Sequence, residues 1–157
     1  MTSPAVATTL DRCIFCKIVT GADPSATILF QNERICIFKD IRPAADHHLL
    51  AVPKHHVASV RALTTADRPL LEEMRTELEN VMRNQCQIDP VTMAVFGFHV
   101  PPFVTVKHLH MHGIAPTGNM GFISKMIFKP NTMWFNTDTA VIDKLPPGPA
   151  AEDGSSK

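Results

Sequence analysis

The stretch between Thr65 and Cys86 has the clearest hydrophobic period in the chain. Six apolar side chains recur there at three- and four-residue spacing, with charged residues between them: Leu70, Leu71, Met74, Leu78, Val81 and Met82. This period predicts an amphipathic helix that buries one face against another layer. Thr64, Thr65 and Asp67 offer side-chain oxygens to its first amides, and Pro69 is tolerated only in a first turn.

Shorter apolar segments on both sides of this helix predict β-strands. Residues 26–30 and 34–39 are rich in Ile, Leu, Phe and Cys and are separated by a polar Gln-Asn-Glu turn, so we expect a hairpin. Residues 48–52 predict a third strand, which ends at a proline. Residues 92–98 and 107–115 predict two more strands after the helix.

The elements predict a single α+β domain whose sheet is covered on one face. A short helix over Cys13 to Thr20 comes first, and it is expected to end at Gly21 because glycine adopts the left-handed conformation without strain. We expect the domain to span residues 11–145, since a chain of 157 residues can bury one core. The small, polar or Pro- and Gly-rich segments 1–10 and 146–157 are expected to be disordered tails.

The bulk composition excludes several classes of partner. Fifteen Lys and Arg balance fifteen Asp and Glu, so no basic field favours nucleic acid or an anionic membrane. No apolar run approaches the roughly 20 residues of a membrane-spanning helix, and residues 1–10 lack the features of a secretory signal. We therefore expect a cytoplasmic protein, present also in the nucleus, whose four cysteines are free thiols or metal ligands.

Three histidines alternate with apolar residues in the last predicted strand. Successive side chains of a strand point to opposite faces, so His108, His110 and His112 share one face while Leu109 and Met111 enter the core. Packing alone seldom places three imidazoles about 7 Å apart where Val or Thr would suit the sheet. The row predicts either metal ligation or catalysis near neutral pH.

The segment from His108 to His112 resembles the signature of the histidine-triad (HIT) superfamily, which reads His, apolar, His, apolar, His, apolar, apolar. Gly113 departs from it, since a larger apolar residue is usual there. The similarity extends to Cys13-Ile-Phe-Cys-Lys-Ile, to Phe38-Lys-Asp-Ile-Arg-Pro43 and to residues 47–56. It covers about residues 11–145 and implies a HIT-like fold, an antiparallel sheet with one long helix and a short N-terminal helix, paired in a two-fold homodimer.

Three further segments are similar to one nucleotide-binding branch of this superfamily. They are Gly97-Phe-His-Val-Pro-Pro-Phe103, Gly121-Phe-Ile-Ser-Lys125 and Trp134-Phe135. The branch implies a hydrolase that acts at the α-phosphate of adenosine phosphoramidates or of acyl and aminoacyl adenylates. The corresponding ligands are a purine nucleoside monophosphate and its phosphoramidates, and no cofactor is required for catalysis.

The resemblance also implies a role for each catalytic histidine. The middle histidine of the superfamily attacks the α-phosphate, which places the nucleophile at His110 and implies a covalent adenylyl-histidine intermediate. A neutral imidazole is nucleophilic at pH 7, and such an intermediate divides a difficult displacement into two easier steps. His108 and His112 would flank the nucleophile. His48, rather than its neighbour His47, would join the hydrogen-bonded group.

The nucleotide-binding residues are likewise implied by position in the superfamily. Asp40 would accept hydrogen bonds from the ribose, two apolar residues would contact the base, and Thr105 would contact the phosphate or leaving group. If the triad strand began at Val104, however, Thr105 would point away from the histidines, so its role requires irregular backbone there. The implied nucleotide contacts are Phe38, Asp40, Ile41, Thr105, His110 and His112.

Cys13 and Cys16 have the short spacing of a zinc site. Some members of the superfamily complete such a site with two histidines, one shortly after a Pro-Lys pair and the other the first of the triad. Here these are His56 and His108. The zinc would be structural. The alternative is a pair of thiols packed as small hydrophobic side chains.

Several interpretations stay open from the sequence. The function could also be that of a dinucleoside polyphosphate hydrolase, a nucleotide-binding module without turnover, or a zinc-stabilised scaffold. His99 either orients the loop that follows it or is an exposed ring without a role.

Overall fold

The structure is a computed structural model that describes residues 12–149. Six strands form one sheet in the order β1-β2-β3-β5-β4-β6, and every neighbouring pair is antiparallel. The strands are β1 Ile28–Gln31, β2 Ile35–Lys39, β3 His47–Pro53, β4 Val95–His99, β5 Met111–Ala115 and β6 Phe135–Thr137. The helices are α1 Ile14–Val19, α2 Arg68–Asn84, α3 Pro90–Met93, α4 Phe122–Ile127 and α5 Asp138–Asp143.

The long helix α2 forms where the hydrophobic period predicts it. A 3-10 turn over Thr65–Asp67 precedes it, closed by a capping box in which the Asp67 carboxylate accepts the Thr64 amide at 2.8 Å. Pro69 lies in the first turn. The apolar face of α2 packs on one face of the sheet, which we call the helix face, and its buried residues are Leu71, Met74, Leu78, Val81 and Met82.

The opposite face of the sheet, which we call the histidine face, is covered at both ends. Near β1 and β2, Phe15 and Ile18 of α1 pack on four buried sheet residues, Cys36, Phe38, Leu50 and Val52. Near β4 and β6, Phe128 and Phe135 pack on Ile114. The expectation that only one face is covered was wrong, because short helices and loops also pack on the second. The predicted histidines lie between these two clusters.

Two predicted strands begin later than the sequence indicated. Residues 90–93 form the short helix α3, because Pro90 occupies its first turn and the Asp89 side chain accepts the Val91 amide at 3.1 Å. Strand β5, which contains the last histidine of the triad, begins at Met111 and not at residue 107. The Leu109 amide donates instead to the Val57 carbonyl at 2.6 Å, so the backbone before Met111 is held by a loop rather than by a neighbouring strand.

The other local predictions agree with the structure. Helix α1 is followed by Gly21 in the left-handed conformation, at φ +78°, and β1 and β2 form the expected hairpin. Residues 1–11 and 150–157, which include most of the two predicted tails, lie outside the described residues. At the start of the predicted C-terminal tail, the Pro146 carbonyl accepts a hydrogen bond from the Thr65 amide at 2.9 Å. Over residues 12–149, none of the helices has the length and hydropathy needed to cross a membrane.

Candidate active site and metal site

The pairing of β3 with β5 brings two histidines together. His48 pairs with Ile114 and Leu50 pairs with His112, and directly paired residues project to the same face of a sheet. The His48 Nε2 and His112 Nδ1 atoms are 2.8 Å apart. His47 has the opposite parity and is half-exposed. The structure therefore places His48, and not His47, beside His112.

His110 is the most exposed ring of the triad, although only 9% of its surface is accessible. Its Nδ1 is 2.6 Å from the His108 carbonyl oxygen. Because a carbonyl only accepts, Nδ1 carries the ring proton and Nε2 keeps its lone pair. Burial lowers the pKa of His110, which favours the neutral ring. The rings of Phe15 and His112 lie edge-on to it at 5.1 and 4.9 Å between centroids. His110 thus has the protonation pattern of a nucleophile.

His99 is the site residue that sequence analysis did not assign. Gly97 of β4 pairs with His112, so Gly97 and His99 both face the histidine side of the sheet. The His99 Nδ1 lies 3.3 Å from His112 Nε2, and its Nε2 lies 3.2 Å from the Ile127 carbonyl oxygen. The alternation of side chains along β4 could have indicated that His99 faces the histidines. That inference also requires the register of β4 against β5, which the sequence does not give.

His108 belongs to a different group from its neighbours in the motif. It is fully buried, and its Nε2 donates to the Pro53 carbonyl at 2.9 Å. The other nitrogen, Nδ1, is 3.4 Å from Cys13 Sγ and 3.5 Å from Cys16 Sγ, and Cys16 Sγ is 3.4 Å from His56 Nδ1. With both ring nitrogens engaged, the geometry favours a metal role for His108 over a catalytic one.

These four residues fit the preferences of zinc. Their ligand atoms all lie within 4.8 Å of one another. A tetrahedral ion with sulfur at about 2.3 Å and nitrogen at about 2.0 Å would separate neighbouring sulfur and nitrogen atoms by roughly 3.5 Å, as observed here. Two thiols and two imidazoles are also a common structural zinc set.

The implied nucleotide contacts are distributed unevenly around the histidines. The Asp40 carboxylate lies 3.4 Å from His48 Nε2 and accepts the Arg42 amide at 2.8 Å, so it adjoins the site. Phe38 is buried against Phe15, with ring centroids 5.4 Å apart. Ile41, by contrast, is 88% exposed.

Thr105 lies in irregular backbone, as its implied role requires. Its side chain is exposed, and within residues 12–149 its hydroxyl makes no hydrogen bond to the histidines. The roles of Thr105 and of the other implied nucleotide contacts stay predictions.

The enclosed space beside His110 is small. A cavity of about 10 Å³ adjoins His99 and His110, which is the volume of about one water molecule. A nucleotide needs several hundred Å³, so a nucleotide bound at His110 would have to widen this space. A larger cavity of about 530 Å³ lies on the helix side of the sheet, between α2 and α5.

Comparison with known proteins identifies the family of this chain. Residues 12–127 match the family model described as scavenger mRNA decapping enzyme C-term binding. The chain is 38% identical over 133 residues to the adenosine 5'-monophosphoramidase HINT3 of Xenopus tropicalis, covering 85% of this chain and 86% of the relative. It is 37% identical over 135 residues to HINT3 of Mus musculus, covering 85% and 81%.

Solved structures show the same fold. A HIT family hydrolase from Clostridium thermocellum superimposes with a TM-score of 0.62 at 31% identity, covering 68% of this chain and 92% of that one. A Zn-bound histidine triad family protein from Mycobacterium smegmatis superimposes with a TM-score of 0.61 at 22% identity, covering 72% and 82%, and shows the fold alone. By its family model, its relatives and its fold, this chain belongs to the histidine-triad family.

Proposed function

We propose that this protein is a hydrolase of the adenosine 5'-monophosphoramidase type. The observation that carries the proposal is the His110 ring, whose Nδ1 proton is donated to the His108 carbonyl so that Nε2 is left unprotonated. The names of the relatives, adenosine 5'-monophosphoramidases from Xenopus tropicalis and Mus musculus, support the same substrate class. The substrate would be a purine nucleoside monophosphate joined to an amine.

The first chemical step uses the free nitrogen of His110. Its Nε2 lone pair forms a bond to the α-phosphorus, and the phosphorus–nitrogen bond to the leaving amine breaks. The departing amine takes up a proton. The adenylyl-histidine that results keeps its Nδ1–H on the His108 carbonyl, which holds the ring in place while positive charge develops on it.

The second step restores the enzyme. A water molecule attacks the same phosphorus, the bond to Nε2 breaks, and the water loses a proton as AMP forms. The proton released here balances the proton taken up by the amine. Because burial lowers the pKa of His110, the freed ring is neutral and ready for another turnover at pH 7.

The substrate class can be tested with wild-type protein and two variants. We expect an adenosine phosphoramidate to be cleaved faster than a diadenosine polyphosphate, and His110→Ala to abolish both reactions while AMP still binds. His47→Gln, altered on the opposite face of β3, should keep full activity. Faster cleavage of the diadenosine polyphosphate would support the alternative hydrolase, and AMP binding without turnover by the wild type would support a binding module.

We propose that Cys13, Cys16, His56 and His108 hold a structural zinc ion. The fit of their spacing to tetrahedral zinc supports this, and the ion would clamp α1 to the backbone that leads into β5. We expect one zinc per chain by elemental mass spectrometry, lost in Cys16→Ser and retained in Cys86→Ser. Equal zinc content in the two variants would contradict the site.

We further propose a homodimer of the cytoplasm and nucleus that binds neither nucleic acid nor membranes. The balanced charge of the chain supports the last two points. Sedimentation equilibrium should give twice the mass of 17.3 kDa. A fluorescent fusion expressed in cells should distribute between the two compartments, and a single monomeric mass would contradict the homodimer.

A further inference from the structure

Four hydrogen bonds run in one line through three histidine rings. The Ala44 amide meets His48 Nδ1 at 3.0 Å, and His48 Nε2 meets His112 Nδ1 at 2.8 Å. The line continues from His112 Nε2 to His99 Nδ1 at 3.3 Å, and from His99 Nε2 to the Ile127 carbonyl at 3.2 Å. Each end of the line is therefore a backbone group.

The two ends fix where every proton lies. A backbone amide only donates, so His48 Nδ1 must accept, and a neutral His48 carries its proton on Nε2. The same reasoning gives His112 its proton on Nε2 and His99 its proton on Nε2. Starting from the Ile127 carbonyl, which only accepts, gives the same assignment. The reverse arrangement would set two donors against each other at Ala44.

The environment of the rings favours this neutral, single arrangement. Burial lowers the pKa of His48 to about 4, lowers that of His112 well below its usual value, and also lowers that of His99. Phe128 lies against all three rings, with centroids 5.2 Å from His48, 5.0 Å from His99 and 5.1 Å from His112. A ring rotation in one histidine would break two hydrogen bonds at once.

We propose that His99 is a positioning residue of the active site, which accepts the Nε2–H of His112 and holds that ring beside the nucleophile His110. His48 anchors one nitrogen of His112, and His99 anchors the other. Both nitrogens of His112 are then engaged, so its ring is fixed in one orientation against His110, with ring centroids 4.9 Å apart. This inference rests on the proposed function, because the orientation of His112 affects turnover only if His110 is the nucleophile.

Two substitutions distinguish a positioning role of His99 from a role that only fills space. His99→Phe keeps an aromatic ring in the cluster but removes the acceptor. His99→Asn keeps an acceptor oxygen near the position of Nδ1 and loses the link to Ile127. We expect His99→Phe to lower kcat by about tenfold to a hundredfold with little change in KM, as for one lost hydrogen bond to a polar site. His99→Asn should recover most of kcat.

Nitrogen NMR of the histidine side chains tests the geometry without turnover. We expect His48, His99 and His112 all to carry their protons on Nε2 in the wild-type protein. A proton on Nδ1 of His112 or His99 would overturn the proposal, even if His99→Phe did not fold. Equal kcat values in His99→Phe and His99→Asn would also overturn it.

Failure of the proposed function would look different. In that case wild-type protein would show no phosphoramidase activity while the three tautomers were still found on Nε2. A lower melting temperature in both His99 variants, with kcat per folded molecule unchanged, would show that His99 only supports the fold and would overturn the positioning role.

Discussion

The helix face and the histidine face of the same sheet differ in how they are buried. On β3, Leu49 and Ala51 point to the helix face and join an apolar core that excludes water. His48 and Leu50, from alternate positions on the same strand, point to the histidine face. There, buried polar rings are tolerated because their nitrogens have hydrogen-bond partners. We therefore expect the helix face to contribute most of the stability and the histidine face to contribute the chemistry.

The largest expected effect would come from the nucleophile. His110→Ala should lower kcat/KM for an adenosine phosphoramidate by about 10⁴-fold or more, since loss of a nucleophile removes the covalent route. Its free energy of unfolding should change by only about 1–2 kcal/mol, since a single buried ring is removed from outside the apolar core of the helix face. Kinetics and denaturant melts check both. Substantial residual turnover would break the division between the two faces.

A substitution on the helix face should have the opposite effect, lowering stability without lowering activity. Leu78→Ala deletes a fully buried side chain of α2, and we expect a loss of about 4 kcal/mol in the free energy of unfolding from lost burial and a new cavity. The activity of the folded fraction should be unchanged. The exposed Thr76→Ala on the same helix is the control, with an effect within about 0.5 kcal/mol.

Acid should weaken the histidine face selectively. The pKa of His48 falls from 6.5 to about 4 because of burial, which the nearby Asp40 opposes and His99 and His110 reinforce. A buried histidine that stays neutral leaves the unfolded state binding more protons, so stability is full above pH 6.5 and is lost as pH falls to about 4. The loss attributable to this group is on the order of 3 kcal/mol.

Urea melts at several pH values measure this dependence. His48→Asn should flatten the slope between pH 6.5 and 4, whereas His47→Gln should leave it unchanged. An equally steep slope in His48→Asn would assign the acid sensitivity to other groups.

The smallest expected effects concern the ion pairs of α2. Arg75 donates to both Asp138 carboxylate oxygens at 2.8 Å, and the Asp138 side chain is only 3% exposed. Asp138→Asn should cost about 2 kcal/mol in the free energy of unfolding, since it leaves a half-buried guanidinium less well paired. Arg68→Ala, which breaks an exposed pair with Glu72, should leave the free energy of unfolding nearly unchanged. Thermal melts of the two variants measure this difference in stability.

The sequence pattern correctly predicted the elements that depend on interactions between residues close together in the chain. The period of α2, the Gly21 stop and the β1–β2 hairpin appear as expected, and the fold class and the family are confirmed. The strand ending at His99 begins later than predicted because Asp89 and Pro90 start a helical turn. The start of β5 was missed because its upstream backbone is held by Val57, a contact that sequence spacing cannot reveal.

By itself, the sequence determined which side chains alternate across each strand. The histidine motif and the Cys-x-x-Cys pair also identified the histidines and thiols of the candidate sites. Only the tertiary structure decided which nitrogen of each ring carries the proton and which one accepts. The partners that settle this come from distant parts of the chain: Cys13 meets His108 across 95 residues and His48 meets His112 across 64. Tautomer and ligand role depend on those partners, because a neutral imidazole donates from one nitrogen and accepts at the other.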